Sequence, residues 1–419
     1  MNTLVLPRNV QFLYEEHLAR LEFEALGCCD LNRDGDHWNQ MTAVVNGTAD
    51  AMLDRSAYLG SLDGRPSTYK QLITPRYQGG QFNRTRSVNQ YLTHWIYPYR
   101  GKFHPQMVRA LMNILGVRRG SVVAEPYLGS GTAALEASML GADFVGIDLS
   151  PLCVMLTRVK TQSVDALDKI RRRVTQIVAS SDVALDDERL ATDDDPAVAD
   201  FLQIARMVTL SDVARRKREG SIYLRKNLSA MLESVEAHAA AIKTFGIKPG
   251  KVSVRVGDCR DLKTSGIKSN SVDAIVTSPP YSIALDYVKN DEHALDALGV
   301  DMGELRDSMT GVRGRGAEQK LQLYNADMQA MFREVAGILK PGARAAFVIG
   351  DATVDGREYT TTDQMTDWAI DAGLTLERSI PKIVFGLYAV MNDEKIQIFR
   401  KPVSGMPSED RHVYSPECR

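Results

Sequence analysis

The chain predicts an α/β protein, with a seven-stranded, mostly parallel sheet flanked by helices and interrupted by a helical insertion. Three observations predict it. From Ser121 to about Lys401, short β-rich runs alternate with helical ones, as parallel strands joined by crossover helices do. Two of those runs end in a carboxylate, and a third ends in a glycine-rich turn that opens a helix. The alternation breaks once, over Pro151–Lys251, where a charged stretch carries helical periodicity instead.

The candidate strands, in order, are Ser121–Glu125, Asp143–Asp148, Val252–Asp258, Val272–Thr277, Arg344–Ile349, Leu374–Val384 and Lys395–Arg400. The last two follow each other without a helix, so that edge of the sheet reads as an antiparallel hairpin. Within the insertion, Val164, Ala166, Leu167, Ile170, Val174 and Ile177 share one helical face. The acidic patch Asp193–Asp195 followed by Pro196 reads as a loop between helices. Residues 1–90 form a second non-core region, helical near Phe12–Leu26 and Gly-rich and loop-like at Gln78–Arg86. The expected organisation is an N-terminal extension (1–90), a core (91–150 and 251–402), a helical insertion (151–250) and a tail (403–419).

At 44% apolar and 25% charged residues the composition is that of an ordinary globular protein. No run approaches the roughly 18 apolar residues of a membrane span, and Met1–Val10 does not read as a secretion signal. Cys28, Cys29, Cys153, Cys259 and Cys418 form no CxxC pair, which excludes a zinc ribbon and argues for a reducing cytoplasm. Net charge is −2, so any nucleic-acid contact must use local basic runs: Arg171–Arg173, Arg215–Arg218, and Arg313 with Arg315.

The strongest constellation is Glu125-Pro126-Tyr127-Leu128-Gly129-Ser130-Gly131-Thr132, which follows an apolar strand and opens a helix over Thr132–Leu140. Glycines there let the backbone approach a ligand closely, and the helix start offers free N–H groups. Asp148, at the end of the second strand, stands where a Rossmann-type fold grips ribose hydroxyls. Asp258 puts another carboxylate at a strand's C-terminal edge, with Cys259 beside it.

Thr277-Ser278-Pro279-Pro280-Tyr281 follows the apolar strand Val272–Val276 directly. Consecutive prolines rigidify the turn, so a polar side chain and carbonyl oxygens are held in place. Tyr281 supplies a flat face on which an extruded base can stack. Such a loop suits methylation of an exocyclic base amine. The amine's lone pair is delocalised into the ring and must be oriented toward the methyl donor.

These motifs resemble those of the amino-methylating DNA methyltransferases, whose glycine loop usually reads Asp-Pro-Phe-x-Gly-Ser-Gly-Thr. The fold implied is a Rossmann-like AdoMet-dependent methyltransferase core. The resemblance implies that the Glu125–Thr132 loop, including Tyr127, Gly129, Ser130, Gly131 and Thr132, cradles the methionine part of S-adenosyl-L-methionine. It places Asp148 on the ribose and Asp258, with Cys259, at the adenine. Phe103-His104-Pro105 resembles the segment that packs beside the cofactor's methionine end. Ser278-Pro279-Pro280-Tyr281 is similar to the tetrapeptide of the N4-cytosine enzymes. By that match Ser278 and the Pro279 carbonyl bind the amine and Tyr281 stacks on the base. Carbon methylation at cytosine C5 is disfavoured, because no cysteine follows a proline.

The function so implied is site-specific methylation of cytosine N4 in double-stranded DNA, yielding S-adenosyl-L-homocysteine, with no metal and with a possible cognate restriction enzyme. Adenine N6 methylation, RNA base amino-methylation and a catalytically idle binding partner are the alternatives. The family's target-recognition segment has no clear counterpart. The insertion, the N-terminal region and the segment around Asp286-Tyr287 and Gly311–Gly316 are the candidates, the insertion favoured for its size and basic clusters. Asp30–Asp36 matches the first half of an EF-hand loop, but the position that should hold a bidentate Glu is Met41, so an Asn/Asp-rich turn is expected.

Overall fold

The structure is a computed structural model that describes residues 1–403 apart from 34–36, 46, 48, 75–76, 79–80, 83–87, 181–182, 191, 282–284, 355–356 and 386–390. Its main sheet contains β1 (Val122–Glu125), β2 (Asp143–Asp148), β3 (Val252–Val256), β4 (Val272–Thr277), β5 (Leu339–Gly350), β6 (Thr375–Phe385) and β7 (Met391–Arg400). They lie in the order β3-β2-β1-β4-β5-β7-β6. The β3–β2, β2–β1, β1–β4 and β4–β5 pairs are parallel, and β7 runs antiparallel to both β5 and β6. This is the seven-stranded, mostly parallel Rossmann-like sheet that the sequence predicts, hairpin edge included. Strand β5 begins at Leu339 rather than Arg344, and its pairing with β4 shifts register between Val272 and Ala274.

The chain winds outward from β1 through β2 to β3, then returns to the other side of β1 with β4. That reversal opens a crevice at the carboxyl ends of the strands, where open α/β sheets bind ligands. Helices that cross over cover both faces of the sheet, and β1 and β4 are nearly continuous apolar runs, as strands buried on both sides must be.

The insertion differs from its prediction in one respect. Its first helix, Pro151–Gln162, lies against the sheet as the crossover that follows β2. The added part is the helices Leu167–Ala179, Pro196–Arg216 and Gly220–Thr244. Asp195 caps the second, accepting from the Ala197 N–H at 2.9 Å, with Pro196 at the first helical position. Ile170, Val174 and Ile177 bury one face, as the periodicity predicts, into a cluster with Phe201, Leu202, Leu224 and Leu228. The same cluster contains Ile96, Tyr97, Val288 and Leu295, which places the insertion against the crevice.

The N-terminal region is not an appendage. Asn2–Val5, Cys28–Arg33, Gln40–Val45, Ser61–Leu62 and Arg65–Pro66 form a five-stranded antiparallel sheet that the sequence reading missed. Its strands are short, and Cys28–Arg33 carries the polar run Asp30-Leu31-Asn32 through a register shift, so alternation is weak. Asp30 to Arg33 are therefore strand rather than turn, and 34–36 lie outside the described residues. Of the loop expected at Gln78–Arg86, Gln78 pairs back with Gln81, and 79–80 and 83–86 lie outside them, as do 404–419 of the tail. Leu4, Leu18 and Phe23 share one apolar cluster with Val108 and Leu111 of helix Pro105–Ile114 and with β1.

Glu22, fully buried on helix Leu13–Ala25, ties this region down. Its carboxylate accepts from Ser56 Oγ (2.7 Å), the N–H groups of Ala57 (2.9 Å) and Tyr58 (3.0 Å), and Asn113 Nδ2 (2.7 Å). Removing it strands four buried donors, so Glu22→Ala is expected to cost about 3 kcal/mol in urea denaturation. Glu22→Gln, which keeps half the acceptors, is expected to cost less; an Ala variant within about 0.5 kcal/mol of the parent contradicts the assignment.

Candidate active site

The crevice holds a cavity with about 940 Å³ of empty space, its open mouth included. Four strand ends contribute. Pro126–Ser130 and Thr132 follow β1, Asp148–Ser150 and Cys153 follow β2, Gly257 and Cys259 follow β3, and Ser278 and Pro280 follow β4. The far wall comes from Tyr99, Gly101 and Phe103 and from Tyr287, Val288, Asp291, Leu295, Leu305, Met309 and Thr310.

Backbone geometry at the glycine loop explains its residues. Gly129 and Gly131 both hold positive φ, +48° and +73°. A Cβ on Gly131 would lie 2.4 Å from Thr157 Oγ1, and one on Gly129 would press on the Tyr99 ring at 3.3 Å. The loop is fastened from below by the buried Lys160, whose Nζ donates to the Ser130 carbonyl at 2.7 Å. Burial holds that amine well below its ordinary pKa. Helix Thr132–Met139 is held in turn by Glu136, which meets the Tyr91 hydroxyl, His94 Nε2 (2.7 Å) and Arg109 Nη1 (3.3 Å).

The electrostatics of the cavity are one-sided. Glu125, Asp148 and Asp291 line it, and no Lys or Arg is among its lining residues. Glu125 is 3% exposed and its Oε2 has no hydrogen-bond partner among the described residues. Burial, and then the nearby Asp148 charge, push its carboxyl well above the usual range. Asp148 is raised by burial too, although Gly129 N–H donates to Oδ2 and Ser150 N–H to Oδ1, each at 2.9 Å. Such a cavity favours a cationic ligand.

Of the residues that the sequence singles out, the structure brings Phe103, Glu125, Tyr127, Gly129, Ser130, Thr132, Asp148, Cys259, Ser278 and Pro280 to this one cavity. The other five lie off its walls. Gly131 packs on Thr157. His104 precedes helix Pro105–Ile114, its pKa lowered to about 4 by burial. Pro279 is buried beneath the loop. Asp258 turns away: both carboxylate oxygens accept from Arg260, which also reaches Asp327 at 3.0 Å. The expectation that Asp258 faces the adenine therefore does not match where its carboxylate lies. Tyr281 sits at the rim, its ring so near Gly350 that a Cβ there would lie 2.9 Å away. Tyr324 donates to the Pro280 carbonyl at 2.8 Å and so pins the loop.

Sequence reasoning missed Lys160 and Asp291. Neither sits in a motif, and only tertiary packing brings them to the site.

No protein-family model matches the chain. Among curated proteins it is 34% identical over 79 residues to the type II methyltransferase M.MjaII of Methanocaldococcus jannaschii, covering 19% of this chain and 14% of that one. It is 22% identical over 284 residues to the type II methyltransferase M.BsoBI of Geobacillus stearothermophilus, covering 52% and 55%. A tRNA (guanine(10)-N2)-dimethyltransferase of M. jannaschii is 30% identical over 74 residues, 18% and 21%. Among solved structures, TrmN from Thermus thermophilus matches 72% of this chain and 50% of its own at 14% identity and a TM-score of 0.34. The chain thus spans between 14% and 55% of the length of these curated relatives.

The donor set fits S-adenosylmethionine. Its ammonium and sulfonium groups would meet the orphaned Glu125 and the anionic cavity, and the loop's N–H groups would receive its carboxylate. Gly131→Ala is expected to destabilise the protein by about 2 kcal/mol, from the positive φ and the Thr157 collision together. Thr157→Ala in the same chain is expected to recover part of that loss, and denaturation showing no recovery contradicts the packing described.

Proposed function

We propose that the protein is an S-adenosylmethionine-dependent methyltransferase acting on an exocyclic amine of a base in double-stranded DNA, cytosine N4 first. The observation that carries this reading is the adjacency of two features. A buried, unpaired carboxylate and glycine loop suited to the cofactor's charged end share one cavity with the Ser278–Pro280 loop. The similarity to two type II methyltransferases supports DNA as substrate. The similarity to a tRNA dimethyltransferase, also an amine methylation by its name, favours RNA as the second reading.

Bound AdoMet supplies a methyl group activated by the sulfonium charge. The protein's residues then have three tasks. Ser278, a lining residue of the cavity, accepts a hydrogen bond from the amine and turns its lone pair toward the methyl group. The Pro280 carbonyl is occupied by Tyr324 and Pro279 lies off the cavity walls, so we assign the amine to Ser278 alone. Tyr281, with Gly350 giving its ring room, stacks on the extruded base. Target recognition we assign to the insertion, where Arg216, Lys217 and Arg218 are exposed at the end of helix Pro196–Arg216. Much of the remaining basic charge there is engaged: Arg171 meets Asp168 and Glu236, and Arg173 meets Asp193. A cytoplasmic location and a cognate restriction enzyme go with this reading. Among the described residues no helix is long and apolar enough to cross a membrane.

Two outcomes test it. Tyr281→Ala is expected to lower transfer of labelled methyl to duplex DNA roughly ten- to hundredfold, the worth of one stacked base, while cofactor affinity holds. Unchanged transfer contradicts the role of the loop. Cofactor binding should also release a proton. Burial and the nearby Asp148 charge raise the Glu125 pKa in the free protein, and pairing with the cofactor's ammonium would lower it again. The free state therefore binds more protons than the complex, and affinity rises with pH until the pH passes the Glu125 pKa of the free protein. Calorimetry in buffers of differing ionisation enthalpy measures that proton, and Glu125→Gln is expected to abolish it.

A further inference from the structure

A third carboxylate faces the cavity from outside every motif. Asp291 joins the short helices Tyr287–Asn290 and Glu292–Ala297, is 5% exposed, and lines the cavity wall. Its Oδ1 is fixed. The Tyr97 hydroxyl donates to it at 2.7 Å, and the Arg215 guanidinium stands 3.5 Å away. Arg215 belongs to the insertion and also donates to the carbonyls of Pro98 (3.2 Å) and Asn290. It thus clamps both segments of the far wall. Asp291 Oδ2, by contrast, accepts no hydrogen bond from any described residue.

The two acids expected to hold the nucleoside are both partly engaged by the protein itself. Asp148 spends one acceptor site on each oxygen to shape the turn, and Asp258 is held by Arg260. Asp291 stands near the Asp148 turn: its N–H donates to the Tyr287 carbonyl at 3.2 Å, the Tyr287 ring stacks on Tyr99, and Tyr99 lies against Gly129, whose N–H holds Asp148. That turn follows β2, where ribose hydroxyls are held in folds of this kind. A pre-positioned carboxylate with a free oxygen is an acceptor for a hydroxyl.

We propose that Asp291 accepts a hydrogen bond from a ribose hydroxyl of the cofactor, with Tyr97 and Arg215 as its positioning residues. The assignment rests on the AdoMet reading above. It also gives the insertion a role at the cofactor, because Arg215 is carried there by helix Pro196–Arg216.

The test is calorimetric binding of S-adenosylhomocysteine, and of its analogue lacking both ribose hydroxyls, to the full chain. The parent protein is expected to prefer the hydroxylated ligand. Asp291→Asn is expected to weaken that ligand roughly ten- to hundredfold, as loss of a hydrogen bond to a charged group does, and to shrink the preference by a similar factor. Tyr97→Phe and Arg215→Gln keep the carboxylate and loosen it, so each is expected to reduce the preference by a smaller factor. They carry the test if Asp291→Asn does not fold. An unchanged preference in the folded variants overturns the role of Asp291 while leaving the AdoMet reading intact. A parent protein that binds neither ligand overturns both.

Discussion

A buried carboxylate without a partner is costly, and Glu125 is held in that state at the end of β1. Nothing in the apolar strand before it or the turn after it satisfies Oε2, and its neighbour Asp148 makes ionisation harder still. The surrounding structure serves to hold this arrangement open. Lys160 fastens the loop from beneath, Glu136 anchors the helix that the loop begins, and Gly129 and Gly131 take positive-φ conformations that shape the turn. A site strained in this way implies a cation that arrives from outside, and S-adenosylmethionine has the matching charges.

The reacting side of the cavity is rigid for a different reason. Two prolines limit the backbone after β4, Tyr324 fixes the carbonyl of the second, and Gly350 admits the Tyr281 ring. For chemistry without a covalent enzyme intermediate, placement of the amine is the main catalytic lever. The thiols do not offer an alternative. Cys259, the one beside the β3 turn, is buried against Thr310 and its pKa is pushed up to about 12 by that burial.

The core sheet was legible in the sequence because β1 to β4 are short β-rich runs, each punctuated by a glycine, a carboxylate or a proline pair at its carboxyl end. The same punctuation located most of the cavity's sheet-side wall. The far wall was legible only in part: Phe103 was read from the chain, whereas Asp291 lies between two short helices, beside residues Val288 and Leu295 that pack with Ile96 and Tyr97 into the insertion's own core. Asp258 shows the opposite failure. Its place at a strand end was read from the chain, but Arg260, two residues on, folds back and captures it. The N-terminal sheet escaped notice because its strands are short and polar enough to lack a period.

The measurement that tests the account most directly is mass spectrometry of nucleosides from DNA and RNA incubated with the protein and methyl-labelled S-adenosylmethionine. Labelled N4-methylcytosine in DNA is the predicted result. Labelled N6-methyladenine would keep the amine chemistry and overturn the choice of base, and label confined to RNA would overturn the DNA substrate. Absence of label from both nucleic acids, with cofactor binding intact, would contradict the catalytic reading of Ser278–Tyr281.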